Sequence, residues 1–280
     1  MDTPIDRNAI QHSLPLGGFT VSTLLAGTRT VADDPQKTFG TNVRAEDFAT
    51  VARDAFLPAD RWQSYFTPVL VSTPQGRVLF DTGLSADGLL RALAAAGHTP
   101  DDIDMVVLTH MHGDHVNGLM TDDGPTFPDA RHVAGRVEFD AWSQMESETF
   151  EAKVRPLAER MTFIEGGDAV VQGITALEAF GHTPGHMAFR LDSEGEELLM
   201  MVDTANHHVF SLAHPDWEVS FDMDKAAAAA TRRRIIGMAA AEKLPVIGYH
   251  MPFPATGFVE ARGDGFRWVP ATDQFRIAAG

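Results

Sequence analysis

The chain has 280 residues, 44% of them apolar, so it can form one large domain or two small ones with a substantial core. Its formal net charge of −17 disfavours binding to nucleic acids and to anionic membranes. The absence of cysteine excludes disulfides, thiolate nucleophiles and cysteine metal ligands. The first residues do not resemble a signal peptide and no apolar run is long enough to span a membrane, so we expect a cytoplasmic protein.

Strands and helices are both predicted in the first half of the chain. Residues 1–17 are polar and contain proline, which predicts an irregular N-terminal arm, and residues 27–66 are predicted to be a long insertion. Alternating or continuous apolar runs predict strands over 19–25, 67–72, 77–80 and 103–108. Helical spacing predicts helices over 45–52, 84–96, 137–145 and 150–161.

The second half is predicted to consist of short strands and one long helix. The strands are expected over 162–165, 169–171, 174–179, 187–191, 197–202 and 245–249, with a closing turn and edge strand over 263–270. The helix is expected over 224–243, with the arginines at 232–234 on a solvated face. No linker or repeat divides the chain, so we predict a single domain over 1–280, of α/β class, with packed sheets and helices outside them.

The motif Thr-His-Met-His-Gly-Asp-His over 109–115 directly follows the predicted strand 103–108. Side chains alternate in extended backbone, so His110 and His112 can bind one ion together. Gly113 lets the chain bend, and Asp114 and His115 can then face a second ion. Imidazole and carboxylate suit zinc. The alternative is a polar loop in a chain with 12 histidines, but this spacing is rare by chance.

Three further strand ends carry candidate ligands, namely His186, Asp203 and His250. The loop Gly-His-Thr-Pro-Gly-His over 181–186 contains both His182 and His186, and spacing alone does not choose between them. Asp203 follows an apolar strand, which favours a ligand over a turn cap. Three other residues, Asp81, Thr109 and Thr183, are candidates for orienting the imidazoles, and a turn-capping role is the alternative for Asp81.

Taken together, these loops resemble the metallo-β-lactamase-fold hydrolases over roughly residues 18–270. The resemblance implies an αββα sandwich of two mixed sheets flanked by helices, and a dinuclear centre. It assigns His110, His112 and His186 to the first ion, Asp114, His115 and His250 to the second, and Asp203 to both. His182 is then structural. The resemblance also implies a homodimer. Zinc is the expected metal, although manganese, cobalt or iron would accept the same donors.

Within that superfamily, three segments resemble the methyl parathion hydrolase branch. They read Phe-Asp-Met-Asp-Lys-Ala over 221–226, His-Met-Pro-Phe-Pro over 250–254, and Gly-Phe-Arg-Trp-Val-Pro over 265–270. Quorum-quenching lactonases of the superfamily share the dinuclear ligand set. Many acyl-homoserine lactonases have a tyrosine three residues after the bridging aspartate, where this chain has Asn206.

The expected activity is metal-dependent hydrolysis of a small-molecule ester. A hydroxide bridging the two ions would attack the carbonyl or phosphoryl centre of a lactone, aryl ester or organophosphate triester, and Asp114 would pass a proton to the leaving group. The alternatives are a glyoxalase-II-like thioesterase and a non-catalytic metal-binding module, while the negative charge disfavours a nuclease. Candidates for the substrate rim are Phe56, Trp62, Tyr65, Phe66, Asn206 and Phe253, with simple core packing as the alternative for the aromatic residues of 61–66.

Overall fold

Strands dominate the structure, a computed structural model that describes residues 10–276. In chain order they are β1 (Gln11–Leu16), β2 (Phe19–Leu24), β3 (Gly27–Val31), β4 (Trp62–Phe66), β5 (Val69–Thr73), β6 (Gly76–Phe80), β7 (Met105–Leu108), β8 (Met120–Thr121), β9 (Gly124–Pro125), β10 (Arg131–Gly135), β11 (Met161–Ile164), β12 (Ala169–Val171), β13 (Ile174–Glu178), β14 (Met187–Ser193), β15 (Glu196–Met200), β16 (Val246–Ile247), β17 (Thr256–Arg262) and β18 (Gly265–Pro270). The α-helices are α1 (Ala45–Asp54), α2 (Ala86–Ala95), α3 (Gly113–Val116), α4 (Arg136–Trp142), α5 (Phe210–Ala213) and α6 (Lys225–Glu242).

Two seven-stranded sheets form the centre of the fold. The first has the order β1-β2-β5-β6-β7-β10-β11, and the second has the order β12-β13-β14-β15-β16-β17-β18. Both are mixed, because β6, β7, β10 and β11 run parallel in the first sheet and β15 and β16 run parallel in the second. The predicted α/β class and the αββα sandwich are confirmed.

Apolar side chains from both sheets fill the space between them. Phe80 of β6 lies against Phe189 of β14, with ring centroids 4.8 Å apart. The strand β7 is buried along its whole length because its two faces have different partners. Val107 faces the opposite sheet, whereas Val106 faces the outer layer that contains α2. This explains why the sequence of β7 is continuously apolar.

Helices cover the outer face of each sheet. On the first sheet, α2 begins at the cap Ser85, and the segment after α4 completes the layer. On the second sheet, α6 buries Ile235 and Ile236 against the strands. The carboxylate of Asp224 caps α6 by accepting a hydrogen bond from the backbone of Ala227 at 3.0 Å. Among the described residues, the structure has no helix that combines the length and the apolar character needed to cross a bilayer.

The N-terminal prediction was wrong over residues 11–16, which form β1 and not an irregular arm. Leu14 and Leu16 are each only 3% exposed, and β1 pairs with β2 from Gln11 to Leu16. The alternating leucines bury one face of the strand against the core, and this outweighs the proline between them. Residues 1–9 of the predicted arm lie outside the described residues.

The predicted insertion at 27–66 contains an antiparallel ribbon that the sequence analysis missed. Its two strands, β3 and β4, pair with each other and not with either large sheet. The helix predicted over 45–52 is present as α1 between them. The ribbon carries several residues of the cavity described below.

Three other predictions need correction. The segment predicted as one helix over 150–161 forms a π-helical stretch, Phe150–Val154, and a 3₁₀ helix, Arg155–Arg160, because Pro156 cannot donate a backbone hydrogen bond. The strand predicted over 245–249 is limited to β16. Arg232, predicted to be solvated, is 1% exposed.

Strand ends from both sheets meet at one edge of the sandwich. Asp81 and Thr109 follow β6 and β7 of the first sheet, while Asp203 follows β15 of the second. A backbone hydrogen bond of 3.0 Å from Met187 to the carbonyl of Thr109 joins the loops of the two sheets. The candidate site lies at this edge.

We predict that Phe189→Ala lowers the free energy of unfolding by about 3–5 kcal/mol, because it opens a cavity between the sheets. Chemical denaturation followed by circular dichroism measures the change. Phe56→Ala is the control, since Phe56 is 96% exposed, and it should change the stability by less than about 0.5 kcal/mol. Equal losses in the two variants would show that the described core is wrong.

Candidate metal centre

The buried carboxylate of Asp203 lies among four imidazoles. Asp203 is 2% exposed and sits in the 3₁₀ turn Val202–Thr204. Its Oδ2 atom lies 3.1 Å from Nε2 of His250, 3.3 Å from Nε2 of His182 and 3.9 Å from Nε2 of His110. Its Oδ1 atom lies 3.5 Å from Nε2 of His115. One carboxylate therefore lies within 3.9 Å of histidines from three parts of the chain, with His110 and His115 in the same loop.

The ligand-type side chains fall into overlapping groups whose nitrogen and oxygen atoms lie within 4.8 Å of one another. One group is His110, His112 and His182, and another is Asp114, His115 and His250. A third group, His110, His115 and Asp203, shares members with both. This arrangement fits two neighbouring metal ions with Asp203 between them.

Several buried atoms of the cluster support a metal site. Within residues 10–276, Nε2 of His110, Nε2 of His115 and Oδ1 of Asp203 are buried and have no hydrogen-bond partner. A buried polar atom without a partner costs free energy, and coordination to a cation would remove that cost. The donors are all imidazole nitrogens and carboxylate oxygens, which suit zinc and similar divalent ions. The residues present thus fit a pair of divalent metal ions.

Asp81 and Thr109, two of the residues expected to orient imidazoles, lie in contact with the histidines of the first loop. The Oδ2 atom of Asp81 accepts a hydrogen bond from Nδ1 of His115 at 2.8 Å. Thr109 donates to Asp81 through its backbone N–H at 2.9 Å and its hydroxyl at 2.8 Å. The same hydroxyl lies 3.1 Å from Nδ1 of His110. Both imidazoles thereby direct Nε2 towards Asp203.

His250 is held from the opposite side by the ribbon and by its own loop. Its Nδ1 atom donates to the backbone carbonyl of Tyr65 at 2.7 Å. The neighbouring Tyr249 stacks on the ring of His115 at 3.9 Å and donates its hydroxyl to the carbonyl of Asp114 at 2.6 Å. These contacts join the loops that carry Asp114, His115 and His250.

The geometry reverses our sequence-based choice between His186 and His182. Nε2 of His182 lies 3.0 Å from Nδ1 of His112 and points into the cluster. Both nitrogens of His186 face the backbone, because Nδ1 donates to the carbonyl of Ala179 at 2.9 Å and Nε2 accepts from the N–H of Asp203 at 3.2 Å. His186 therefore fixes the turn of Asp203, and His182 is the histidine of this loop that belongs to the cluster.

Thr183 does not orient an imidazole, contrary to our prediction. Its hydroxyl donates to Oε2 of Glu138 at 2.8 Å, and the backbone of Gly185 donates to the same atom at 2.7 Å. The other oxygen of Glu138 accepts from the backbone of Met111 at 2.9 Å. Glu138 is buried, so one carboxylate joins the two histidine loops. Nothing in the sequence distinguished this glutamate from a surface residue of α4.

Opposite charges dominate the electrostatics of the cluster. Burial by itself would raise the pKa of Asp203, but the charges of His250 and His115 hold it well below its usual value. Burial lowers the pKa of His112 to about 3, helped by the charge of His182. Burial would also lower the pKa of His182, yet hydrogen bonds to Asp203 and Asp222 raise it to about 9. The carboxylates thus favour positive charge here, which a metal cation would supply.

A cavity of about 540 Å³ opens onto the cluster. Its polar end is formed by His112, Asp114, His182, Asp203, Asn206 and His250. Aromatic side chains form much of the remaining wall, namely Phe39, Trp62, Phe66 and Phe221. An apolar pocket with a few convergent polar groups is the usual form of a small-molecule site.

Only some of the predicted rim residues line this cavity. Trp62, Phe66 and Asn206 do so. Tyr65 lines a second cavity of about 400 Å³, because neighbouring side chains of β4 point to opposite faces. Phe56 is outside the cavity since it follows the end of α1 at a φ of 58° and is exposed.

Phe253, which is partly buried, also does not line the cavity. Sequence reasoning missed two residues of β3, Arg29 and Val31, because the ribbon itself was not predicted. It also missed Leu84 and Phe221, whose places in the cavity depend on tertiary structure.

Comparisons with known proteins agree with this architecture. The sequence profile described as the Metallo-beta-lactamase superfamily matches residues 67–246, which include every residue of the cluster except His250. An N-acyl homoserine lactonase from a Bacillus species is 23% identical over 194 residues, which cover 60% of this chain and 75% of the relative.

Two solved structures show the same fold. AidC, a dizinc quorum-quenching lactonase in complex with the product N-hexanoyl-L-homoserine, is 24% identical with a TM-score of 0.86, and the match covers 95% of this chain and 99% of that one. AbOPH, a hydrolase of the beta lactamase superfamily, is 23% identical with a TM-score of 0.86 and the same coverage. These similarities extend over nearly the whole chain and support its description as one fold.

We predict that His182→Ala weakens the binding of one metal ion at least tenfold, because it removes an imidazole from the cluster. His186→Ala is the comparison, and it should retain two ions, since neither nitrogen of His186 points into the cluster. Metal titration and elemental analysis of the two purified variants measure the effect. Loss of an ion in His186→Ala alone would restore the assignment made from the sequence.

Proposed function

The chain belongs to the metallo-beta-lactamase superfamily, and from this premise we propose that it is a hydrolase that works with two divalent metal ions. The first ion would be bound by His110, His112 and His182, the second by Asp114, His115 and His250, and both by Asp203. The observation that carries the proposal is the position of Asp203, 3.1–3.9 Å from imidazole nitrogens of both groups. The proposed metal is zinc, and AidC is a dizinc enzyme. The homodimer implied by the family resemblance stays a prediction.

The proposed substrates are lactones, aryl esters and organophosphate triesters. The aromatic wall of the cavity favours an uncharged molecule with an apolar body, and the net charge of −17 disfavours a polyanion. AidC binds a homoserine product, which favours a lactone as the first substrate to test. Carbonyl and phosphoryl centres are both open to attack by hydroxide, so activity on more than one ester class is expected.

Asp114 is the proposed acid and base of the reaction. Two bound divalent ions would supply a water molecule of lowered pKa and would polarise a carbonyl or phosphoryl oxygen. The side chain of Asp114 is 26% exposed, lines the cavity and has its Oδ2 atom 3.5 Å from Nε2 of His250. Its carboxylate could therefore hold a proton at the polar end of the cavity, beside His250.

Neither tyrosine is placed to transfer a proton in the proposed reaction. The chain has two tyrosines, both described, and neither lines the cavity. Tyr249 is 3% exposed and donates to the carbonyl of Asp114, while Tyr65 faces the second cavity. The amide of Asn206 donates to Oδ2 of Asp203 at 3.0 Å and so steadies the shared carboxylate. Proton transfer then depends on Asp114.

We predict that the metal-loaded protein hydrolyses an N-acyl homoserine lactone, a phenyl ester or a phosphotriester faster than a glutathione thioester or a phosphodiester. Steady-state kcat/KM values on protein of known metal content make the comparison. Asp114→Asn should lower kcat at least about 100-fold, because it removes the proton-transferring carboxylate. The exposed Asp140→Asn on α4 is the control and should be unchanged.

Two results would contradict the proposal. A thioester preferred tenfold over every other substrate would indicate a thioesterase. No hydrolysis of any substrate by protein that holds two ions would indicate a non-catalytic metal-binding module.

A further inference from the structure

Arg232 is an unusual residue of α6, because its guanidinium is buried beside the metal centre. It is 1% exposed, whereas the next two arginines of the helix, Arg233 and Arg234, are exposed. A buried cation is stable only when acceptors surround it and compensate its charge. Its partners therefore indicate what it contributes.

The guanidinium of Arg232 reaches three separate segments. Its Nε atom donates to the carbonyl of Thr204 at 3.0 Å, and Nη1 donates to the carbonyl of Pro215 at 2.7 Å. Its Nη2 atom donates to Oδ2 of Asp222 at 2.8 Å. Thr204 follows Asp203 directly in the chain, so the first of these bonds acts on the turn that carries the shared carboxylate.

Asp222 connects the guanidinium to His182. It is 3% exposed, and its second oxygen, Oδ1, accepts from Nδ1 of His182 at 2.9 Å. That bond keeps the proton on Nδ1 and leaves Nε2 of His182 for the cluster. The backbone of Met223 also donates to the carbonyl of His182 at 3.0 Å, and that of Asp224 donates to Gly181 at 2.9 Å. The segment after Phe221 thus holds the His182 loop along its length.

We propose that Arg232 is a positioning residue that sets the distance between His182 and Asp203, through Asp222 on one side and the Thr204 carbonyl on the other. This inference rests on the proposed function, since it takes both residues as metal ligands. Only arginine suits the position, because a planar guanidinium can donate in several fixed directions at once. The role also accounts for the Phe-Asp-Met-Asp motif at 221–224, in which Asp222 holds the imidazole and Asp224 caps α6.

The test compares Arg232→Met with Arg234→Met on the same helix. Arg234 is exposed and donates only to the carbonyl of Glu178, so its variant is the matched control. We expect Arg232→Met to bind one of the two ions at least tenfold more weakly, in line with the loss of a group that orients metal ligands. The visible spectrum of the cobalt-substituted protein should change too, because the ligand geometry changes. Arg234→Met should match the wild type in both measurements.

A double variant covers the case in which Arg232→Met does not fold because Asp222 is left as an unpaired buried charge. Asp222→Asn combined with Arg232→Met removes both charges, so it should fold, and it should show the same loss of metal affinity. Wild-type affinity and spectrum in a folded variant would overturn the inference. So would an equal loss in Arg234→Met, or the failure of both Arg232 variants to fold, which would assign the pair to stability. If the wild-type protein itself binds fewer than two ions, the result contradicts the proposed function on which this inference rests.

Discussion

The structure depends on the burial of one carboxylate, that of Asp203. An ionised carboxylate that is 2% exposed is unfavourable unless donors or cations replace its water. Here they come from both halves of the sandwich, with His110 and His115 from the first sheet and His182 and His250 from the second. The two sheets must therefore keep one relative position. Phe80 against Phe189 in the core and the backbone bond from Met187 to Thr109 at the edge maintain that position.

Local chemistry determined what could be predicted from the sequence. The His110–His115 motif lies within a few residues, and its meaning follows from strand geometry and donor chemistry alone. The same holds for Asp203, which follows a short apolar strand at the edge where the sheets meet. His182 and His186 differ because one faces the cluster and the other faces the backbone of Ala179 and Asp203. That difference depends on how the turn packs, and no pattern in the sequence records it.

Supporting residues were missed for a related reason. Glu138 and Arg232 lie on helices with ordinary surface spacing, and a charged helical residue is usually exposed. Their burial follows from polar groups far away in the chain, such as the backbone of Gly185 for Glu138 and the carbonyl of Thr204 for Arg232. The β3–β4 ribbon was missed because its strands are half-exposed and short. A fold class is thus easier to predict than the charged contacts that refine a site.

The β3–β4 ribbon contributes both to the aromatic cavity and to the support of the His/Asp cluster. Trp62 and Phe66 of β4 line the cavity, while the carbonyl of Tyr65, between them, accepts from Nδ1 of His250. Changes in this strand that alter the cavity should therefore also move His250, a ligand of the proposed second ion. His182, a ligand of the proposed first ion, is held instead by Asp222, which pairs with Arg232. If two ions bind as proposed, substrate preference should consequently be coupled more strongly to the second ion than to the first.

Charge balance at the centre favours the binding of cations. The carboxylates of Asp81, Asp114, Asp203 and Asp222 all contact or adjoin the histidines, and Arg232 is the only buried arginine among the described residues. If each aspartate is ionised and every imidazole is uncharged, these groups carry a net negative charge, which is unfavourable in a buried cluster. Divalent cations would offset that charge, and the uncharged imidazole is the form that binds metal. The same carboxylates that orient the histidines therefore also make the site attractive to cations.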